Sequence, residues 1–489
     1  MTQFDARERY EQYVGGAWRE PDAGAYFEAT DPATGDAIAT VADGTTSDAD
    51  AAVAAAREAF PAWRDTDPVE RGQVVHRVAD LIREHADELA ALESRDQGKP
   101  LSQAASDMEG AARYFEYYAG AADKLEGTSV PTGTGQVDFT MREPFGVSAQ
   151  IIPWNFPGNL FARGVAPALV AGNATVVKPA PTASLSSFAL VELCEEAGVP
   201  EGLVNVVAGG AEPGDALARH TGVDTITFTG SVATGQSVMR AAADEVTPVT
   251  LELGGKNPAI VYDDADVSEA VEWIATAIFT NAGQVCSAAD RALVHESVYD
   301  AFVDELVDVA ASYEIGPGDE DPDLGPLNSA EHLERVADYI RTGREEGATI
   351  AAGGEVLERP GNFVEPTVFV DVDNDMRVAQ EEIFGPVVVV IPFGDADDPV
   401  EIANDVDYGL TAGVFTNDVR RALSAVREIE AGNVYVNKWF GDTTQTPFGG
   451  YKHSGMGREK GLEALDSYLQ TKNVAINLER SSGGDLPGA

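Results

Sequence analysis

Hydrophobic positions change their period along this chain, and the changes divide it. After a short β-rich start, an Ala-rich segment reads as a helix that Ser47 or Asp48 can cap, running to about Trp63. Pro68 sits where a helix prefers to begin, and Val74, Val75, Val78, Leu81, Ile82, Leu89 and Leu92 keep a helical period up to Gly98. A third helix is predicted near 103–124; its Tyr114, Phe115, Tyr117 and Tyr118 recur at helical spacing and are expected in the core. From Gly146 onward, short apolar runs alternate with helical stretches. Strands are predicted at 147–152, 174–178, 204–207, 225–229 and 249–253, with helices near 160–170, 184–197, 215–220 and 232–243. A second alternating block spans 259–437, with strands at 292–295, 367–370, 387–393, 412–415 and 433–436. Such alternation predicts parallel sheets wrapped by helices, with ligands bound beyond the carboxyl ends of the strands. Two further runs, 137–143 and 471–478, have no partners nearby and are expected to pair with each other or with another subunit. Clusters at 319–323 and 353–361 read as surface loops, and the Gly/Ser/Pro-rich tail, 480–489, as frayed.

Length and charge narrow the class. At roughly 150 residues per domain, 489 residues suggest about three domains. Hydrophobic residues make up 44%, a globular proportion, and no apolar run approaches the ~18 residues needed to cross a bilayer. The first residues are polar and lack the basic and apolar regions of a signal peptide, so a cytoplasmic location with no membrane partner is expected. Asp and Glu total 82 against 33 Lys and Arg, a formal net charge of -49, and lysine occurs at only eight positions. Nucleic acid is excluded as a partner, because phosphate neutralisation needs clustered basic residues. Carboxylates at this density repel one another at ordinary ionic strength, whereas molar salt shortens the screening length to about 3 Å. A protein adapted to a salt-rich, halophilic cytoplasm is the expectation.

Candidate chemistry sits at strand ends and in one loop. The two cysteines are too few for a disulfide framework or a Cys-rich zinc site, and no metal site is expected. Cys194 lies on an apolar helix and reads as packing. Cys286 follows a helix predicted at 267–280, with Gly283 and Gln284 breaking it, so its thiol stands in a loop, either inert or nucleophilic. Glu252 ends an apolar strand just before Gly254 and Gly255, a place suited to a general base or to a solvated strand end. Asn155, held between Pro153 and Pro157, reads as a turn residue or as an oxyanion donor. Lys178 also closes an apolar strand, where a ribose or phosphate could lie. Gly230, Ser231, Thr234 and Gly235 open a helix whose amides favour phosphate, although Val232 breaks the G-x-G-x-x-G pattern and Gln236 breaks a Walker A loop.

Taken together, these segments resemble the aldehyde dehydrogenase superfamily along nearly the whole chain. The matching stretches are Pro153-Trp154-Asn155-Phe156-Pro157, Lys178-Pro179, Phe228-Thr229-Gly230-Ser231 with Gly235, Leu251-Glu252-Leu253-Gly254-Gly255-Lys256, and Gly283-Gln284-Val285-Cys286. Further on come Glu381-Glu382-Ile383-Phe384-Gly385-Pro386, then Pro447-Phe448-Gly449-Gly450-Tyr451-Lys452, Ser454-Gly455 and Gly457-Arg458-Glu459.

The resemblance implies an α/β fold with a Rossmann-type cofactor domain (1–123 and 145–253), a catalytic domain (254–452) and a small β oligomerisation element (124–144 and 469–489). It further implies a homodimer or homotetramer acting on a small-molecule aldehyde. In the implied reaction Cys286 attacks the aldehyde, and Asn155 with the Cys286 amide holds the oxyanion. Hydride passes to a nicotinamide dinucleotide, and Glu252 activates the water that hydrolyses the thioester. Glu459 matches a possible second base. The implied cofactor contacts are Ile152, Pro153, Trp154 and Asn155, then Lys178 at the adenosine ribose, Gly230, Ser231 and Thr234 near the pyrophosphate, Gly254, and Glu382 with Phe384 at the nicotinamide end. Many NAD-preferring members carry a glutamate three residues after the lysine matched by Lys178; Pro181 stands there, which permits NADP beside NAD.

Three other readings compete. A CoA-acylating member would pass the acyl group to CoA, which leaves Glu252 without its hydrolytic task. A non-catalytic dinucleotide-binding protein would have no use for Cys286, Asn155 and Glu252 together. A cysteine hydrolase would need a histidine base, and none of the six histidines lies in the motifs around these residues. The segments 282–289 and 435–446 are expected to line the substrate tunnel, with Trp439 and Phe440 as an aromatic wall.

Overall fold

Strands buried on both faces have no polar side to show, so their sequences read as unbroken apolar runs. Five such strands run parallel in the first sheet of the computed structural model, which describes residues 4–440 and 443–478. Their spatial order is Val249–Glu252, Thr225–Thr229, Val147–Ile151, Ala174–Lys178 and Val204–Val206. Each edge is closed by a short antiparallel strand. Gly455–Met456 lies against Val249–Glu252, while Gln12–Val14, followed by Ala17–Arg19, lies against Val204–Val206. The chain lays down Val147–Ile151, winds one way through Ala174–Lys178 and Val204–Val206, then crosses back to Thr225–Thr229. The order reverses between Val147–Ile151 and Thr225–Thr229, and a crevice opens beyond their carboxyl ends at such a reversal.

The second sheet has seven strands, in the order Thr349–Ala352, Thr367–Val370, Val387–Phe393, Arg291–His295, Pro258–Val261, Thr411–Phe415 and Asn433–Val436. All but the first of these run parallel. One core gathers residues from Phe4 to Leu253 together with Ala464, Leu465, Tyr468 and Leu469; the other runs from Ala259 to Trp439. Phe156 packs against both, which places the turn it belongs to at their junction. The two orphan runs pair with each other: Leu469–Asn477 lies antiparallel to Gln136–Pro144, and Ser129–Val130 completes a three-stranded sheet.

Several helix expectations are corrected. The first helix is Thr46–Arg64, capped by Thr45 rather than Ser47 or Asp48; Asp48 is the residue that reaches back to the Thr45 amide, at 2.8 Å. The period running from Pro68 to Gly98 belongs to two helices, Pro68–Glu84 and Ala86–Gln97. His85 between them has φ -108 and ψ 17, and both helices turn their apolar faces to one core, so the period survives the break. The third helix is Leu101–Ala119, ending at Gly120 before a tight turn at Ala122–Lys124. Phe115 and Tyr118 are fully buried there, as expected. The tail at 480–489 lies outside the described residues. Among those described, no helix is long and apolar enough to cross a membrane, and no group of three or more His, Cys, Asp or Glu side chains is placed to hold a metal ion.

Candidate active site

Asn155 follows Val147–Ile151, and Gly230 with Ser231 follows Thr225–Thr229, so these residues flank the point where the strand order reverses. Glu252 is the last residue of the neighbouring strand, in register with Thr229. From the other core comes the helix Val267–Phe279, which ends in a tight turn where Asn281 (φ 49) and Ala282 (φ 54) adopt left-handed backbone. Such angles strain residues with side chains, so surrounding contacts must hold them. Gly283 is required at the next position: a Cβ there would come within 2.0 Å of the Gly385 carbonyl. The Cys286 loop therefore lies directly against the loop that bears Glu382 and Phe384.

Amides strap the two cores together at this point. The Asn155 side chain donates to the Gln284 carbonyl at 2.9 Å, and the Asn281 side chain donates to the Asn155 carbonyl at 2.9 Å. Asn257 donates to the Cys286 and Ala288 carbonyls at 2.9 and 2.8 Å. Lys99, fully buried, donates to the Asn155 carbonyl at 2.9 Å and is neutralised by Glu93 at 3.0 Å and Asp107 at 2.5 Å. The second oxygen of Glu93 accepts from the Gly158 amide at 2.9 Å. The loop that carries Asn155 is thus pinned from behind by a buried ion cluster. The Asn155 amide keeps one N–H beyond the one given to Gln284.

Between the cores lies a cavity of about 910 Å³, within the range usual for small-molecule sites. Pro153, Trp154, Asn155, Gly230, Ser231, Glu252, Gly254, Cys286, Glu382 and Phe384 all line it. Ile152 does not; its amide donates to the Lys178 carbonyl at 3.0 Å. Lys178 is buried at its strand end outside the cavity lining, and burial depresses its pKa to about 8. Thr234 stands in the first turn of the helix Val232–Ala243, its hydroxyl 3.0 Å from that of Ser231. Glu459 lies behind the cavity wall, paired with Arg163 at 2.5 Å. Trp439 is not part of the wall: it is fully buried and its indole N–H donates to the Ser287 carbonyl at 2.8 Å. Phe440 does line the cavity.

Cys286, Glu252 and Glu382 are displaced from their ordinary ranges. Burial pushes the Cys286 thiol up to about 12, opposed by the charge of Arg163. Glu252 is buried, and neither carboxyl oxygen has a hydrogen-bond partner. Its pKa is held well above the usual carboxyl range, by burial first and by the neighbouring charge of Glu459 second. Glu382 is raised to about 7 by burial, although the Gly255 amide, donating at 3.1 Å, works the other way. Behind Phe384, whose backbone is left-handed at φ 62, Trp154 and His332 pack edge to face, and His332 bonds to the Phe384 carbonyl at 2.7 Å.

Sequence reasoning missed Arg163, Lys99, Asn257, Asn281 and His332. For Arg163 a signal existed: it is the only charge in the apolar helix Pro157–Ala171. Lys99 is one of few lysines and precedes a proline, but nothing local announces its buried partners.

Two α/β sheets meeting at a crevice beyond the strand ends, with Cys286 on its lining, make a site of the size that takes a small molecule. Comparison with known proteins makes this specific. The model of the aldehyde dehydrogenase family matches residues 18–474, and the chain belongs to that family. A hydroxyisobutyraldehyde dehydrogenase of Mycolicibacterium austroafricanum is 44% identical over 98% of this chain and 96% of its own length. A mitochondrial benzaldehyde dehydrogenase of Antirrhinum majus is 44% identical over 95% of this chain and 88% of its own. The NAD+ complex of an aldehyde dehydrogenase from Bacillus cereus superposes with a TM-score of 0.96 at 42% identity, covering 97% of this chain and 98% of that one. The activity is the oxidation of aldehydes to carboxylic acids.

Proposed function

We propose that Cys286 is the nucleophile, Asn155 the oxyanion donor and Glu252 the base that activates the deacylating water. The observation that carries this reading is the convergence of all three on one cavity that continues to Ser231 and Glu382. A nicotinamide dinucleotide, NAD or NADP, supplies the hydride acceptor at this site. The crevice fits it: Gly230 and Ser231 open a helix at the strand reversal, and a Cβ at Gly254 would fall 2.1 Å from the Glu382 carboxylate, so the walls approach closely only because this position is bare. Lys178 and Ile152 would sit at the ribose side, Thr234 beside the pyrophosphate, and Trp154 and Phe384 against the nicotinamide end. Pro181 presents no carboxylate toward a 2′-phosphate, so NADP is accepted beside NAD.

Cys286 attacks the carbonyl carbon and its thiol proton leaves to solvent in the cavity. The free Asn155 N–H and the Cys286 amide steady the oxygen that gains charge. After hydride leaves, the acyl group remains on sulfur as a thioester, and Glu252 takes a proton from the attacking water. Glu459, held by Arg163, lies within electrostatic reach of Glu252 and tunes its proton affinity. The test is Cys286→Ala with aldehyde and NAD(P)+: NAD(P)H formation should vanish, and the wild-type product should be free acid whether or not CoA is present. Acyl-CoA as product would favour the CoA-acylating alternative.

The substrate is a small aldehyde, in keeping with the hydroxyisobutyraldehyde and benzaldehyde dehydrogenases that resemble the chain. Residues 1–123 with 145–253 are the dinucleotide-binding domain, 254–452 the catalytic domain, and 124–144 with 469–489 the oligomerisation element. Val137, Met141 and Ile476, exposed on that element, support a homodimer or homotetramer. The net charge supports a halophilic, cytoplasmic protein, whose melting temperature should rise steadily from low to molar KCl.

A further inference from the structure

A trans peptide carries its carbonyl and its N–H on opposite edges, so fixing one fixes the other. In the loop that bears Cys286, every carbonyl from Gln284 to Ala288 has a donor. The Gln284 carbonyl accepts from the Asn155 side chain at 2.9 Å, and the Val285 carbonyl from the Ala288 amide at 3.1 Å. The Cys286 carbonyl accepts from the Asn257 side chain at 2.9 Å, and the Ser287 carbonyl from the Trp439 indole at 2.8 Å. The Ala288 carbonyl accepts from Asn257 at 2.8 Å and from the Asp290 amide at 3.0 Å. Because the Val285 carbonyl faces into the turn, the Cys286 N–H on the same peptide faces out of it. That N–H donates to no group among the described residues.

Asn257 alone binds two of these carbonyls. It stands just before the strand Pro258–Val261, and Asp290 just before the neighbouring strand Arg291–His295, with Pro258 and Arg291 in register. The Thr411 amide can only donate, and it does so to Oδ1 of Asn257 at 3.0 Å. Both hydrogens on Nδ2 are thereby left for Cys286 and Ala288. One oxygen of Asp290 accepts from the Asn257 backbone amide at 2.7 Å; the other lies 3.2 Å from the ammonium of Lys256, which is fully buried. Space is kept for the contact, since a Cβ at Gly255 would lie 2.6 Å from both the Cys286 carbonyl oxygen and Asn257 Oδ1. Lys256, Asn257 and Asp290 lie outside the cavity lining, so they act only through what they hold.

We infer that Asn257, fixed in place by Asp290 and Lys256, is a positioning residue that aims the Cys286 N–H at the oxygen gaining charge. This role rests on the reading of Cys286 as nucleophile. Freeing the Cys286 and Ala288 carbonyls lets the turn open and the Cys286 peptide rotate. Sulfur then stays at the cavity, but the oxyanion loses a donor that was oriented in advance. A reaction of the same thiol that builds no oxyanion feels no such loss.

The test sets two reactions of Cys286 side by side in each variant. One is first-turnover NAD(P)H formation with an aldehyde, which builds an oxyanion; the other is alkylation by iodoacetamide, which builds none. Cys194 is buried, so alkylation of the folded enzyme reads Cys286. Asn257→Ser should slow NAD(P)H formation by about 10- to 100-fold while alkylation changes by less than about twofold. Asp290→Asn, similar in shape and off the lining, should give a smaller loss of the same selective kind, and carries the test if Asn257→Ser does not fold. Alkylation and NAD(P)H formation slowed together would mean a loosened loop and overturn the positioning role. Full-rate NAD(P)H formation in the folded variants overturns it as well, leaving the dehydrogenase reading intact. If wild-type enzyme alkylated at Cys286 still formed NAD(P)H, the nucleophile assignment would fail, and this role with it.

Discussion

The two cysteines of this chain occupy regions that share burial and little else. Cys194 lies on the helix Leu185–Glu196, and burial alone raises its pKa; no charged group contributes. Cys286 is also raised by burial, but Arg163, Glu382, Glu252 and Lys460 all act on it, and it opens onto a cavity. Cys194 behaves as a small hydrophobe. The lesson is that burial raises both thiols, and the surrounding charges decide which one can be used.

The sharpest way to break the contrast is to replace each sulfur by oxygen. Cys286→Ser should lower kcat/KM by at least about 10³-fold, while Cys194→Ser should leave turnover of folded enzyme unchanged, both read as NAD(P)H formation. Next in size, Glu252→Gln should cut steady-state turnover by about 10²- to 10⁴-fold yet keep a first-turnover burst, since the carboxylate is assigned to thioester hydrolysis. A lost burst would move Glu252 into the acylation step. Lys99→Met should reduce kcat by about 10- to 100-fold through misplacement of Asn155, with the coenzyme KM little changed. Removing one member of a buried ion cluster also destabilises the fold by about 3–5 kcal/mol, measurable by denaturant melts. The smallest effect concerns pH. Both Cys286 and Glu252 are displaced upward, so the wild-type rate should climb from neutral toward alkaline pH as each ionises. Glu252→Gln should remove the part of that climb due to the carboxyl group. A rate that falls across this range would contradict both assignments.

Much of the fold was legible because parallel strands buried on both faces carry their signal locally. Val387–Phe393 and Thr225–Thr229 were read from the sequence with the bounds the structure gives them. Gln12–Val14 and Gly455–Met456 were not, because strands this short are defined by the sheet edge they join rather than by their own pattern. The break at His85 was hidden for a related reason, since one core faces both helices. In the site, residues embedded in family motifs were recognisable, among them Asn155, Glu252, Cys286 and Glu382. The supporting groups were not. Lys99 meets Glu93 and Asp107 only after folding, and Trp439 looked like a cavity wall until its indole found the Ser287 carbonyl. Tertiary contact, which periodicity does not carry, decides such roles.

Glu252 has neighbours of very different age. Gly449 sits where a Cβ would come within 2.7 Å of its carboxyl oxygen, Gly455 pairs with its backbone, and Glu459 and Lys460 act on its proton affinity. All follow Cys286 in the chain, so a ribosome makes the thiol before the segment that shields the carboxylate, and the first sheet keeps an unpaired edge until that segment arrives. Chains terminated between Cys286 and Gly449 should be inert toward aldehydes rather than weakly active.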